Sequence, residues 1–164
     1  MADTGDLWLV PAFTGLGAPD WDGHARGLMI GITRGTTRAH LARAALESVT
    51  LRSADLITAM GRDAGKPITD LRVDGGTTKN NLLMQMRADI AGIPVLRPTM
   101  TETTAFGAAA LAGLATGFWP GLDALSRCWR LERRFEPQWS DSQRSAHRAR
   151  WREAVARSRG WARD

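Results

Sequence analysis

Leu7-Trp8-Leu9-Val10 is a short apolar run closed by Pro11, the pattern of a buried strand or strand end. Gly15, Gly17, Pro19 and Gly23 then punctuate a turn-rich stretch from Phe13 to Arg26, and Leu28-Met29-Ile30-Gly31-Ile32 is the next strand candidate. Beyond Gly35 the period changes. Leu41, Ala42, Ala45, Val49, Leu56, Ile57 and Met60 keep helical spacing as far as Gly61 and Gly65. Thr36 or Thr37 is placed to cap this helix, because a hydroxyl there accepts from the first free backbone N–H groups.

Leu71-Arg72-Val73 reads as a strand that runs into Asp74-Gly75-Gly76-Thr77-Thr78. From Asn80 the pattern is helical again, with Leu82, Leu83, Met86 and Ile90 on one face and Gly92 as the stop. Pro94-Val95-Leu96 is a short strand, and Thr101 to Gly117 a helix rich in small residues. Strands alternating with helices at this spacing predict an α/β layer with a largely parallel sheet. The last segment differs: Ser140 with Gln143 forms a capping box, and His147, Trp151, Ala154 and Val155 make a narrow apolar stripe on an Arg-rich helix. The chain therefore divides into an α/β part, residues 1–120, and an Arg- and Trp-rich helical extension, residues 121–164, packed on it.

Composition narrows the class. With 164 residues, 43% apolar and 24% charged, the chain is an ordinary globular domain rather than a disordered one, long enough to bury roughly 70% of its unfolded surface. No window approaches a membrane span, and Met1-Ala2-Asp3-Thr4-Gly5-Asp6 has no basic stretch leading into an apolar one, so a cytoplasmic location without membrane contact is expected. Cys128 is the single cysteine, which excludes an internal disulfide framework and cysteine-cluster metal sites. The net charge of +5 sits wholly in the tail: residues 1–120 carry 11 basic and 11 acidic residues, residues 121–164 carry 11 and 6. Arginine supplies 20 of the 22 basic residues and tyrosine is absent, which points to compositional bias before nucleic-acid binding. Trp139, Trp151 and Trp161 read as anchors that dock the tail, with arginine solvating the opposite face, and no nucleic-acid partner is expected.

The strongest chemical signal is Val73-Asp74-Gly75-Gly76-Thr77-Thr78-Lys79-Asn80. Paired glycines between a strand end and a helix start let backbone approach a ligand, and helix N-termini offer N–H groups to polar ligand edges. Ligands of open α/β sheets bind at that end of the strands. A plain strand-to-helix turn needing positive φ accounts for the glycines equally. The segment is neither a Walker A loop nor a Rossmann fingerprint. Glu102 and Thr103 sit at the start of the small-residue helix, near the glycine turn if both helices begin on the same side of the sheet; capping also explains them. Asp20-Trp21-Asp22-Gly23-His24 offers two carboxylates and an imidazole, a weak cation-site pattern built from common turn residues. His24, His40 and His147 show no triad or ligand spacing, and nothing nominates a nucleophile.

Together, Val10 to Pro19, Ala25-Arg26-Gly27, Thr33 to Ala44, Leu71 to Asn81, Arg97-Pro98, Thr101 to Gly117 and Phe135-Glu136-Pro137 resemble the C-terminal part of the FGGY carbohydrate kinases. The likeness covers essentially the whole chain. Ala12 to Pro19 and Thr33 to Thr37 are more similar to the glycerol kinase branch than to xylulokinase or gluconokinase. Two departures stand out. Asp20 occupies a position where the family usually has an aromatic residue before Trp-Asp, and Thr77-Thr78-Lys79 replaces smaller, less charged residues.

The resemblance implies an α/β fold: a partial actin-like (ribonuclease H-like) ATPase domain, here the C-terminal kinase domain without its first strands. It implies ATP with Mg²⁺ as cofactors, Gly76 and Asn80 touching the nucleotide, and Asp74 and Gly75 shaping the same turn. The cofactor-binding set is thus Gly75, Gly76 and Asn80, with Glu102 to Ala110 closing the adenine side. The phosphoryl acceptor would be glycerol, or another small polyol or sugar, and only in a complete enzyme. In the family the Asp general base, the side chains that hold the triol and a second glycine-rich turn all precede the region that Met1 opens. No catalytic or metal-binding residue is therefore assigned to this chain, and alone it is expected to be inactive, since phosphoryl transfer rests on positioning between two lobes. It would serve as a part completed by a separately encoded N-terminal half, or as a non-catalytic fragment. A homo-oligomer stays open, and an unpaired sheet edge and uncovered apolar surface predict self-association.

Overall fold

Pro11 ends the first apolar run as expected. Strand β1, Trp8–Val10, pairs antiparallel with β2, Leu28–Ile30, so that Trp8 lies opposite Ile30. The computed structural model describes residues 3–163; Met1, Ala2 and Asp164, the outer ends of the two expected segments, lie outside the described residues. Thr37 opens the long helix α1, Arg38–Asp63, its own N–H held by His40 Nδ1 at 3.0 Å. Helix α5, Asp141–Ser158, packs against β1, β2 and the helix at 81–91, reaches α1 through Arg148 and Trp151, and completes the first core. Trp8, Val10, Leu51, Ala54, Ile90, Trp151, Ala154 and Val155 fill it.

The second core lies under a three-stranded sheet. β3, Leu71–Arg72, runs parallel to β4, Val95–Pro98, joined through helix α2, Asn81–Ala91. Val73, Leu83, Met84, Ala88, Val95 and Phe135 pack there. The expected largely parallel sheet is only half realised. After helix α3, Thr103–Ala115, and the short α4, Leu122–Ser126, the chain returns as β5, Leu131–Phe135, antiparallel to β4 in the order β3-β4-β5. The extension is accordingly not purely helical: it supplies an edge strand. Glu132, Arg133 and Arg134 hid that strand from the sequence, because an exposed edge carries charge rather than an apolar alternation.

The tail is anchored differently from the tryptophan reading. The Ser140–Gln143 box forms, with Ser140 N–H donating to Gln143 Oε1 at 2.9 Å. Trp151 is fully buried and Trp139 packs on the core, but Trp161 is 74% exposed. It follows the end of α5, where backbone bonds replace side-chain docking. Arg26 N–H donates to the Ser158 carbonyl (3.1 Å), Gly160 N–H to Asp22 Oδ2 (3.0 Å) and Ala162 N–H to the His24 carbonyl (2.8 Å). The Asp20–His24 cluster is thus a clamp for the tail. Asp22 also accepts from His24 and Ala25 N–H, and Asp20 binds Arg52 (2.6 Å) and Arg159. Those two guanidinium partners account for a carboxylate at position 20, where the resemblance implies an aromatic ring. Among the described residues no group of His, Cys, Asp and Glu is placed to hold a metal ion, and no helix is long and apolar enough to cross a membrane.

Candidate functional site

The parallel β3–β4 pair puts the loops after both strands on one side of the sheet. The glycine turn after β3 therefore meets the start of α3, as the sequence allowed. Gly75 N–H donates to the Thr101 carbonyl at 2.8 Å, and the Thr103 hydroxyl donates to Asp74. Glu102 stands at the N-cap of α3 without making a side-chain cap, so capping does not explain it.

Gly75 has φ of +81°, a conformation that side chains rarely adopt, and the turn needs glycine there for backbone reasons alone. Gly76 is different. It has no positive φ, and a Cβ built on it would meet nothing within 4 Å. Packing within this chain gives no reason for its missing side chain. One 3₁₀ turn, Gly76–Lys79, follows, so the regular helix starts later than the glycine pair, at Asn81, with Asn80 as its N-cap. Asn80 Oδ1 accepts from Leu83 N–H at 3.1 Å, which caps α2; the residue is exposed.

The turn is held rigidly from behind. Thr78, fully buried, donates through its hydroxyl to the Gly75 carbonyl at 2.7 Å, so part of the departure Thr77-Thr78-Lys79 is an internal brace. Arg97, only 8% exposed within β4, donates to the Thr78 carbonyl (2.7 Å), to Asn81 Oδ1 (2.9 Å) and to both oxygens of Glu132. Arg97 holds the Glu132 carboxyl below its ordinary value. Sequence reading missed this bracket. Its signal was present: an arginine inside a four-residue strand that is buried throughout.

Gly76, Thr77, Lys79 and Asn80 are exposed, and the turn forms a wall rather than a closed pocket. α3 likewise packs on no other element over any length, and Leu111, Phe118 and Leu122 lie open beside it. Gly113 on α3 has a local reason, since a Cβ there would strike the Trp119 ring. Gly107 has none; a Cβ at that position would meet nothing within 4 Å.

Residues 1–116 match the FGGY family of carbohydrate kinases, C-terminal domain. A glycerol kinase of Bordetella parapertussis is 58% identical over 163 residues, which are 99% of this chain and 32% of that protein. The crystal structure of Plasmodium falciparum glycerol kinase with ADP is 35% identical, superposes with a TM-score of 0.85, and is matched over 96% of this chain and 32% of its own. A xylulose kinase from Rhodospirillum rubrum is more distant, 26% identical with a TM-score of 0.71 over 95% of this chain and 30% of its own. The chain thus spans about a third of the length of these relatives.

Proposed function

Because the chain belongs to the FGGY family of carbohydrate kinases, we propose that it is the nucleotide-holding C-terminal part of an ATP-dependent glycerol kinase. The observation that carries this reading is Gly76: an ordinary backbone conformation, an open Cβ position and no neighbour that needs the space. A glycine there is explained by a flat ligand laid against the backbone. In this reading Gly75 sets the turn, Gly76 lets the adenosine of ATP approach, and the Asn80 amide donates to its polar edge. Thr78 and Arg97 keep that geometry from relaxing when the ligand leaves.

ATP would supply the γ-phosphoryl group, with Mg²⁺ on its phosphates offsetting charge. Among the described residues the carboxylates do not form a cluster that would hold that ion, so in this reading Mg²⁺ would arrive with the nucleotide. Nor do the matched segments contain a candidate base beside a polyol. The rest of the enzyme would provide both, closing over the glycine turn and covering α3 and the outer edge of β3. The chain alone should therefore bind nucleotide weakly and turn nothing over.

Titration with ADP, followed by amide chemical shifts of residues 74–81, tests the reading. The chain should show saturable shifts there. Gly76→Ala should weaken binding more than about tenfold, the scale of one intruding methyl group in a fitted site, while leaving the unfolding midpoint unchanged. Undiminished ADP binding by Gly76→Ala, or no shifts at millimolar ADP, overturns the assignment. In a coupled assay with glycerol and MgATP the chain should be silent. Turnover that Asp74→Asn abolishes would show that the reading of an inactive part is wrong.

A further inference from the structure

Three arginines of the tail, Arg148, Arg152 and Arg159, read above as solvation, converge on one place. Asp55, Thr58, Ala59 and Arg62 fall at i, i+3, i+4 and i+7 on one stripe of α1, facing a stripe of α5 that carries Arg148, Trp151 and Arg152. The helices run in opposite directions, for Thr58 meets Arg148 and Asp55 meets Trp151 further along. Between them, closed at one end by Asp20 and Arg159, lies a groove of about 360 Å³ that shares no residue with the glycine turn. That volume suits a small metabolite.

The charges in the groove do not balance. Four arginines, at 62, 148, 152 and 159, line it against Asp20 and Asp55. Both carboxylates are already committed: Asp20 to Arg52 and Arg159, Asp55 to the Trp151 indole N–H (2.8 Å), Arg52 (3.7 Å) and Arg148 (3.6 Å). Among the described residues Arg62 and Arg152 have no side-chain partner, and Arg148 Nε is buried without a hydrogen bond. A buried N–H left unpaired is costly, and three guanidiniums converging on one hollow repel one another unless an anion sits between them.

We propose that the groove between α1 and α5 binds a small phosphorylated metabolite, a site separate from the nucleotide turn. A phosphate monoester carries up to two negative charges and three terminal oxygens, acceptors for the donors of Arg62, Arg148 and Arg152. The probe is inorganic phosphate, added to the full chain at ionic strength held constant with chloride. Saturable shifts are expected at the Trp151 indole N–H and at the amides of residues 58–62 and 148–156. Arg62→Ala with Arg152→Ala should weaken the affinity at least about tenfold, the scale of losing charge-assisted bonds. Both side chains are exposed, and Arg152→Gln alone provides the same reading should the double variant not fold. Shifts linear in concentration and matched by chloride, or an affinity unchanged in these variants, overturn the site. The titration contains no nucleotide and reads residues away from Gly76, so its failure and that of the nucleotide reading are separable.

Discussion

Trp151 and Leu111 are both large apolar side chains on helices, yet Trp151 is fully buried and Leu111 is 71% exposed. Their helices reverse what composition suggests. α5 carries arginine at most turns and docks through three or four side chains; α3 is almost wholly apolar or small and touches little. Burial is set by what stands opposite a helix. The α1/α5 half contains its own partners, β1 and β2 included, whereas in the sheet half α3 and the outer edge of β3 are covered by no other element of the described residues. The glycine turn lies on that open side.

Three experiments break or sharpen this contrast. The largest effect belongs to Trp151→Ala, which empties the closed core and removes the indole donor from Asp55; urea unfolding should show a loss of about 3–5 kcal/mol. Leu111→Ser on the open side should change stability by less than about 0.5 kcal/mol. Equal costs would mean that the two halves are finished alike. Next comes Arg97→Ala, which links the halves of the site. Loss of its bonds to Thr78 and Asn81 should cost about 1–3 kcal/mol and should speed hydrogen exchange at Thr78 and Asn80 before the α1/α5 core is affected. Simultaneous exchange in both regions would show one cooperative unit.

The smallest effect concerns the tail clamp. Burial pushes the Asp22 carboxyl up, but N–H bonds from Gly160, His24 and Ala25 outweigh it and hold the pKa below 3.8. A depressed carboxylate stabilises above its unfolded pKa and ceases to as pH falls through the folded value. Protection of the Gly160 amide should therefore be constant above about pH 4 and vanish below the folded pKa, while Trp151 stays buried. Asp22→Ala should free the same amide at neutral pH. Protection that persists in that variant would remove Asp22 from the clamp.

Periodicity made α1, α2 and α3 legible, together with the Gly75–Asn80 turn, because each is fixed by local spacing and by glycines at strand ends. β5 was not, since Glu132-Arg133-Arg134 reads as a solvated run. Trp161 misled for the opposite reason: a tryptophan suggests burial, but the helix that would have turned it inward ends at Ser158. Arg97 was the costliest omission. Its role depends on three acceptors on separate segments, and only the closed sheet brings them within reach.

The two borders of the small sheet have opposite characters, and this limits how copies of the chain can assemble. The border formed by β5 carries Glu132, Arg133 and Arg134, so a second strand laid there would have to strip water from three charges. The border formed by β3 is two residues long and carries one charge, that of Arg72, whose guanidinium lies over the Trp129 ring. A strand added to this sheet would therefore meet one charge on the β3 side and three on the β5 side, so the β3 border is the less guarded of the two.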